Sequence, residues 1–88
     1  MQIGKSSENY LETILMLSKQ LPVVRSIDIA SELNFSKPSV SVAMKHLRED
    51  GCIEVNPSGF ITLTPKGMEI ASTIYERHTV LSKWLISL

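Results

Sequence analysis

The chain has 88 residues, with nine Lys plus Arg against nine Asp plus Glu, and so a formal net charge of zero. That length makes one domain with one modest core, and neutrality excludes a general polyanion binder: any hold on nucleic acid must come from local charge and few phosphate contacts. The single cysteine, Cys52, excludes an internal disulfide, no stretch approaches a membrane span, and no apolar segment of signal type follows Met1. The reading is a soluble, cytoplasmic protein with no membrane partner.

Ser6 or Ser7 is placed to cap a first helix running to about Lys19, with Tyr10, Leu11, Ile14, Leu17 and Ser18 toward the core. Gln20-Leu21-Pro22 ends it, and Val23-Val24-Arg25 is extended. Ser26 is the expected cap of a short second helix through Leu33, with Ile27, Ala30 and Leu33 as its apolar positions. Asn34-Phe35 makes a tight turn into a third helix. That helix has Ser36 as N-cap, Pro38 in the first turn, Arg48 in the last, and Gly51 for a left-handed stop. Val40, Met44 and Leu47 fall on one face of it, while Pro38, Val42, Lys45 and His46 point away.

After Gly51 the period changes from 3.6 to 2. Cys52–Val55 and Phe60–Leu63 flank the turn-rich Asn56-Pro57-Ser58-Gly59 and read as a β-hairpin, with Cys52 a half-buried thiol in its first strand. Thr64-Pro65 opens a last helix that could reach Leu88, about 36 Å long. The fold class is therefore mainly α with a small β-hairpin, a winged helix-turn-helix. Residues 1–64 form the winged helix-turn-helix unit, and 65–88 its long last helix.

A short helix with an apolar back and a small, hydroxylated, weakly basic front suits a DNA major groove. Ser36, Lys37, Pro38, Ser39, Val42, Lys45 and His46 are the expected contacts on it, with Arg25 and Ser26 touching the backbone from the start of the second helix. Pro38 and Val42 offer apolar surface to a thymine methyl, and Arg48 adds charge at the border of the face. Glu49 and Asp50 partly cancel that charge, so a dimer is needed for affinity. The hairpin tip carries Asn56 and Ser58 but no cation, and at most a weak phosphate or minor-groove contact is expected there.

Tyr10-Leu11-Glu12-Thr13-Ile14, Val24-Arg25-Ser26-Ile27-Asp28-Ile29-Ala30, Ser36-Lys37-Pro38-Ser39-Val40-Ser41, Ile61-Thr62-Leu63-Thr64-Pro65-Lys66-Gly67 and Tyr75-Glu76-Arg77-His78 follow one another in order. Together they resemble the N-terminal DNA-binding region of the diphtheria toxin repressor and manganese transport regulator family. The resemblance implies a bacterial or archaeal repressor of metal-uptake genes. Such a protein dimerises, binds manganese(II) or iron(II), and then holds a palindromic double-stranded operator. It also implies that residues 65–88 are a linking helix toward the family's dimerisation region, before which the chain stops, as a fragment or a natural short form.

The resemblance places metal ligands at Asn9, Glu12 and His78. The residues themselves put Asn9, Glu12 and Met16 in one strip of the first helix, and His78 on a line with Ala71, Ile74, Tyr75, Leu81 and Leu85. A carboxylate and an imidazole from two packed helices begin a site for either ion. Two departures stand against it: Asn9 replaces the family's Asp or Met, and Ser82 stands where a Glu often follows. Whether this chain holds any metal stays open on these grounds. So do a metal-independent winged-helix regulator and a winged-helix protein–protein module. No paired carboxylates, Gly-rich phosphate loop or activated nucleophile points to an enzyme.

Overall fold

In the computed structural model, residues 5–87 are described along the backbone and residues 6–77 with their side chains. The elements are α1 (Lys5–Gln20), α2 (Ser26–Leu33), α3 (Lys37–Glu49), β1 (Ile53–Val55), β2 (Ile61–Leu63) and α4 (Pro65–Ser87). The chain is thus a mainly helical winged helix-turn-helix. No helix among the described residues is long and apolar enough to cross a membrane.

α1 is the central element: α2, α3, β2 and α4 all pack on it. Enclosure on several sides explains why its buried set is broader than one helical stripe. Tyr10, Leu11, Ile14 and Leu17 are buried as the periodicity predicts, and Thr13 and Leu15 join them. Ser18 does not; it is exposed, and its hydroxyl donates to the Leu15 carbonyl at 2.6 Å. The helix also begins at Lys5, so Ser6 and Ser7 lie inside the first turn rather than at its cap.

The start of α2 differs from the expected Ser26 cap. Arg25 holds the cap position with an extended backbone, and its N–H donates to the Asp28 carboxylate at 2.9 Å. Asp28 therefore supplies the reciprocal half of a capping box, an acid where the helix dipole favours one. Ile29 and Ala30 are the buried residues of α2, whereas Ile27 is 47 % exposed and Leu33 half-buried. The helix ends at Asn34 in the left-handed conformation (φ 57°), and the Phe35 N–H bonds back to the Ala30 carbonyl at 3.0 Å. This αL stop turns the chain sharply into α3. Phe35 stays half in solvent, its ring edge-on to Tyr10 at 6.0 Å.

α3 follows its sequence signals closely. Ser36 Oγ accepts from the Ser39 N–H at 3.3 Å, and Pro38 sits in the first turn without wasting a donor. Val40, Met44 and Leu47 are buried, each contributing about 1.5–3 kcal/mol of apolar burial. Gly51 at φ 77° ends the helix.

The hairpin is shorter than its alternation suggests. β1 and β2 pair antiparallel with Ile53 opposite Leu63, Glu54 opposite Thr62 and Val55 opposite Ile61. Phe60 lies outside the strand, and Cys52 lies before it, completely buried rather than half-buried. On its other edge, β2 is tied to the segment ahead of α2: the Ile61 N–H donates to the Val24 carbonyl at 2.8 Å.

Thr64 fastens α4 to this frame. Its Oγ1 donates to the Gly51 carbonyl at 2.6 Å and accepts from the Gly67 N–H at 3.2 Å, while its own N–H reaches the Cys52 carbonyl at 3.1 Å. Lys66 Nζ donates to the Asp50 carbonyl at 2.9 Å, satisfying an orphan acceptor at the end of α3. Gly67 is required by this closeness. A Cβ there would stand 2.0 Å from the Cys52 carbonyl oxygen. Farther along, Lys19 of α1 lies over the Tyr75 ring at 4.2 Å and holds the two helices together.

Candidate nucleic-acid interface

The outward side of α3 is built by burying its opposite side. With Val40, Met44 and Leu47 fixed in the core, Lys37, Pro38, Ser39, Val42, Lys45 and His46 are all left exposed, Val42 by 55 %. Residues 38, 42 and 46 form a line along the helix, with an imino-acid ring, an isopropyl group and an imidazole in succession. The Ser36 hydroxyl is already used: it caps the helix and donates to Ser39 Oγ at 2.8 Å. It sets the first turn, where Ser36 itself, Lys37, Pro38 and Ser39 are all exposed.

Arg25 and Ser26 lie at the other helix start. The Arg25 guanidinium stacks over the Phe60 ring, 4.8 Å from its centroid, so an exposed cation is held between α2 and the hairpin by a cation–π contact. Ser26 is half-buried as the first residue of α2. The hairpin turn is internally engaged. Asn56 Oδ1 accepts from the N–H groups of Ser58 (3.0 Å) and Phe60 (2.9 Å), and Gly59 at φ 83° closes the turn. Asn56 thus shapes the wing tip.

Of the expected metal ligands, two are described with their side chains. Asn9 is exposed and Glu12 half-buried on α1, and the side chain of His78 lies outside the described residues, as does that of Ser82. Among the described residues no group of three or more His, Cys, Asp or Glu side chains converges to hold a metal. An amide and one carboxylate do not amount to a metal site.

Residues 2–59, from α1 through the wing turn, match the family model of the iron dependent repressor, N-terminal DNA binding domain. The chain belongs to that family. The transcriptional regulator MntR of Escherichia coli O6:H1 is 32 % identical over 81 residues, covering 92 % of this chain and 52 % of MntR. The diphtheria toxin repressor of Corynebacterium glutamicum is 30 % identical over 80 residues, or 91 % of this chain and 35 % of that protein. The chain therefore spans about half the length of its MntR relative, or less in the second case. Among solved structures, MepR, a transcription regulator of the Staphylococcus aureus multidrug efflux pump MepA, superposes with a TM-score of 0.73 over 97 % of this chain and 64 % of its own, at 20 % identity. That likeness concerns the fold alone.

Family membership makes the chain a DNA-binding regulator domain and not an enzyme, and it bears out the resemblance carried by the five motifs. Two residues beside these candidates, Ser41 and Phe60, are not among the expected contacts. Ser41 lies on the flank of α3 and lines the same cleft as Ser26 and Val55. Phe60 reads as a strand residue but serves as the platform for Arg25. The Ser41 flank is legible from helical spacing alone; the Arg25–Phe60 pairing joins residues 35 positions apart and has no local signal.

Proposed function

We propose that this chain is the operator-binding part of a metal-responsive repressor of metal-uptake genes, acting in the cytoplasm as a homodimer on palindromic double-stranded DNA. The observation carrying this reading is the outward side of α3, where six exposed residues lie opposite a fully buried back. Lys37 and Lys45 supply phosphate contacts, Ser39 meets the backbone at the helix N-terminus, and Pro38 and Val42 meet thymine methyl groups. His46, Arg25 and Ser26 complete the set. From Ser36 to Asp50 there are three cations against two acids, too few for tight binding by one protomer. Residues 65–88 link this unit to a dimerisation region.

Manganese(II) or iron(II) is the proposed effector, with Glu12, Asn9 and His78 as its ligands on α1 and α4. Membership of an iron-dependent repressor family supports metal dependence, and the packing of α1 on α4 supports a shared site. A metal-independent regulator is the second reading, favoured by the neutral Asn9. Titrating Mn(II) and Zn(II) into the protein and its Glu12→Gln and His78→Ala variants separates them: equal melting-temperature responses in all three remove the site.

DNA binding is tested with a duplex selected from a random library, at two salt concentrations. Lys37→Ala should flatten the salt slope by about one unit, whereas Val42→Ala should mainly relax sequence preference. A wild-type chain without salt-dependent affinity would favour a protein–protein module.

A further inference from the structure

Between the first turn of α2, the flank of α3 and the hairpin lies an open cleft of about 230 Å³, lined by Ser26, Ser41, Met44, Lys45, Arg48 and Val55. Met44 is buried and Val55 half-buried, so they form an apolar floor. The other lining residues are two serines, a lysine and an arginine, with no acidic residue among them. Ser41, Lys45 and Arg48 follow at i, i+4 and i+7, one continuous row on α3, and Ser26 faces them from a helix start whose first N–H groups lack intrahelical acceptors. Two cationic and two hydroxyl residues lining one concavity, in a chain with no net charge, are a donor set suited to a tetrahedral oxyanion.

We propose that this cleft holds one backbone phosphate of the nucleic acid, with Arg48 and Lys45 as its charge and Ser26 and Ser41 as its hydrogen-bond donors. The proposal rests on the DNA-binding reading above and assigns the wing side of the interface. It is a different phosphate from the one met at the α3 N-terminus. Arg48 lies eleven positions after Lys37, about 16 Å along the axis, more than the roughly 12 Å width of the major groove. The uncharged hairpin tip then needs no cation of its own, because Arg48 also lines the adjoining cleft against the wing, with Glu54, Val55, Asn56, Phe60 and Thr62. Glu54 is the acidic residue lining that adjoining cleft, so its charge opposes a phosphate nearby.

The test is fluorescence anisotropy of a library-selected duplex at 50, 100 and 200 mM salt with wild type, Arg48→Ala, Arg48→Lys, Ser41→Ala, Glu54→Gln and, as a reference, Lys37→Ala. One lost phosphate contact lowers the salt slope by about 0.9, so Arg48→Ala should lose about 3.5-fold more affinity at 50 mM than at 200 mM. Arg48→Lys should keep the wild-type slope, Ser41→Ala should weaken binding at every salt without changing the slope, and Glu54→Gln should tighten it. Neutral methylphosphonates placed singly along the duplex locate the contact: one position should erase the Arg48→Ala effect and leave that of Lys37→Ala intact. The cleft is refuted if Arg48→Ala keeps wild-type affinity and slope while Lys37→Ala flattens it, or if one methylphosphonate erases both effects. If the wild type shows no salt-dependent affinity, the cleft and the DNA reading fall together. Arg48 is exposed, so its variants should melt with wild type, which separates lost binding from lost folding.

Discussion

Gly67→Ala opposes two effects of opposite sign. In a free helix the change is stabilising by about 1 kcal/mol, because alanine is the better helix former. Here the added methyl would stand 2.0 Å from the carbonyl oxygen of Cys52, 2.9 Å from its carbon and 3.3 Å from its Cα. All three are backbone atoms, so no side chain can rotate away, and the first turn of α4 must lift from the end of α3. Lifting it strains three polar links at once: Thr64 to Gly51 (2.6 Å), Thr64 to Cys52 (3.1 Å) and Lys66 to Asp50 (2.9 Å). Overpacking costs about 1–3 kcal/mol, and each weakened hydrogen bond costs about 0.5–1.5 kcal/mol. Allowing for the helix-propensity gain, the net loss should be at least about 1.5 kcal/mol. At about 4–8 °C per kcal/mol for a domain of this size, the melting midpoint should fall by at least about 6 °C. Thermal and urea denaturation followed by circular dichroism measure it. An unchanged or raised midpoint would refute the close packing of α4 on Cys52, and the sign alone decides.

Leu47→Ala, at a residue only 1 % exposed, should cost about 2–5 kcal/mol in urea denaturation by opening a cavity behind α3; a loss under 1 kcal/mol would mean the helix back is not core. Ser36→Ala removes the cap on the Ser39 N–H and should cost about 1 kcal/mol in the same assay, with Ser36→Asp restoring most of it. Burial pushes the Cys52 thiol above its ordinary range, with Lys66 pulling it down and Asp50 pushing it up. The unfolded chain therefore ionises first as pH rises. Stability is full while that thiol is protonated in both states and declines above about pH 8.5, a decline that Cys52→Ala should abolish in urea midpoints taken from pH 7 to 10.

What can be read without coordinates is what depends on near neighbours. α3 declares its cap, its proline, its buried triad and its glycine stop, and all of these are local patterns. α2 does not, because eight residues with three large aliphatics fit more than one helical stripe. Spacing favours Ile27 over Ile29, and only the position of α1 above α2 decides between them. The Ser26 cap fails for a related reason: Asp28 competes for the same helix start and reaches the Arg25 N–H. Thr13 and Leu15 are buried because α1 is covered on several sides, a property of the assembly and not of one helix. At the interface, exposed residues on one helix are legible, whereas the Arg25–Phe60 stack and the Gly67–Cys52 contact join distant segments and leave no periodic trace.

The hydrogen bond from Ile61 to Val24 has a consequence for motion. A two-stranded ribbon of three-residue strands is barely stable alone, yet this one is sewn along its outer edge to the segment that launches α2, and the Arg25 stack on Phe60 adds a second stitch. The hairpin therefore cannot fray as an independent flap. It opens only when the approach to α2 opens, so both share the exchange protection of the core. The ordering of the wing is thus complete without any partner, so no binding event has to supply it.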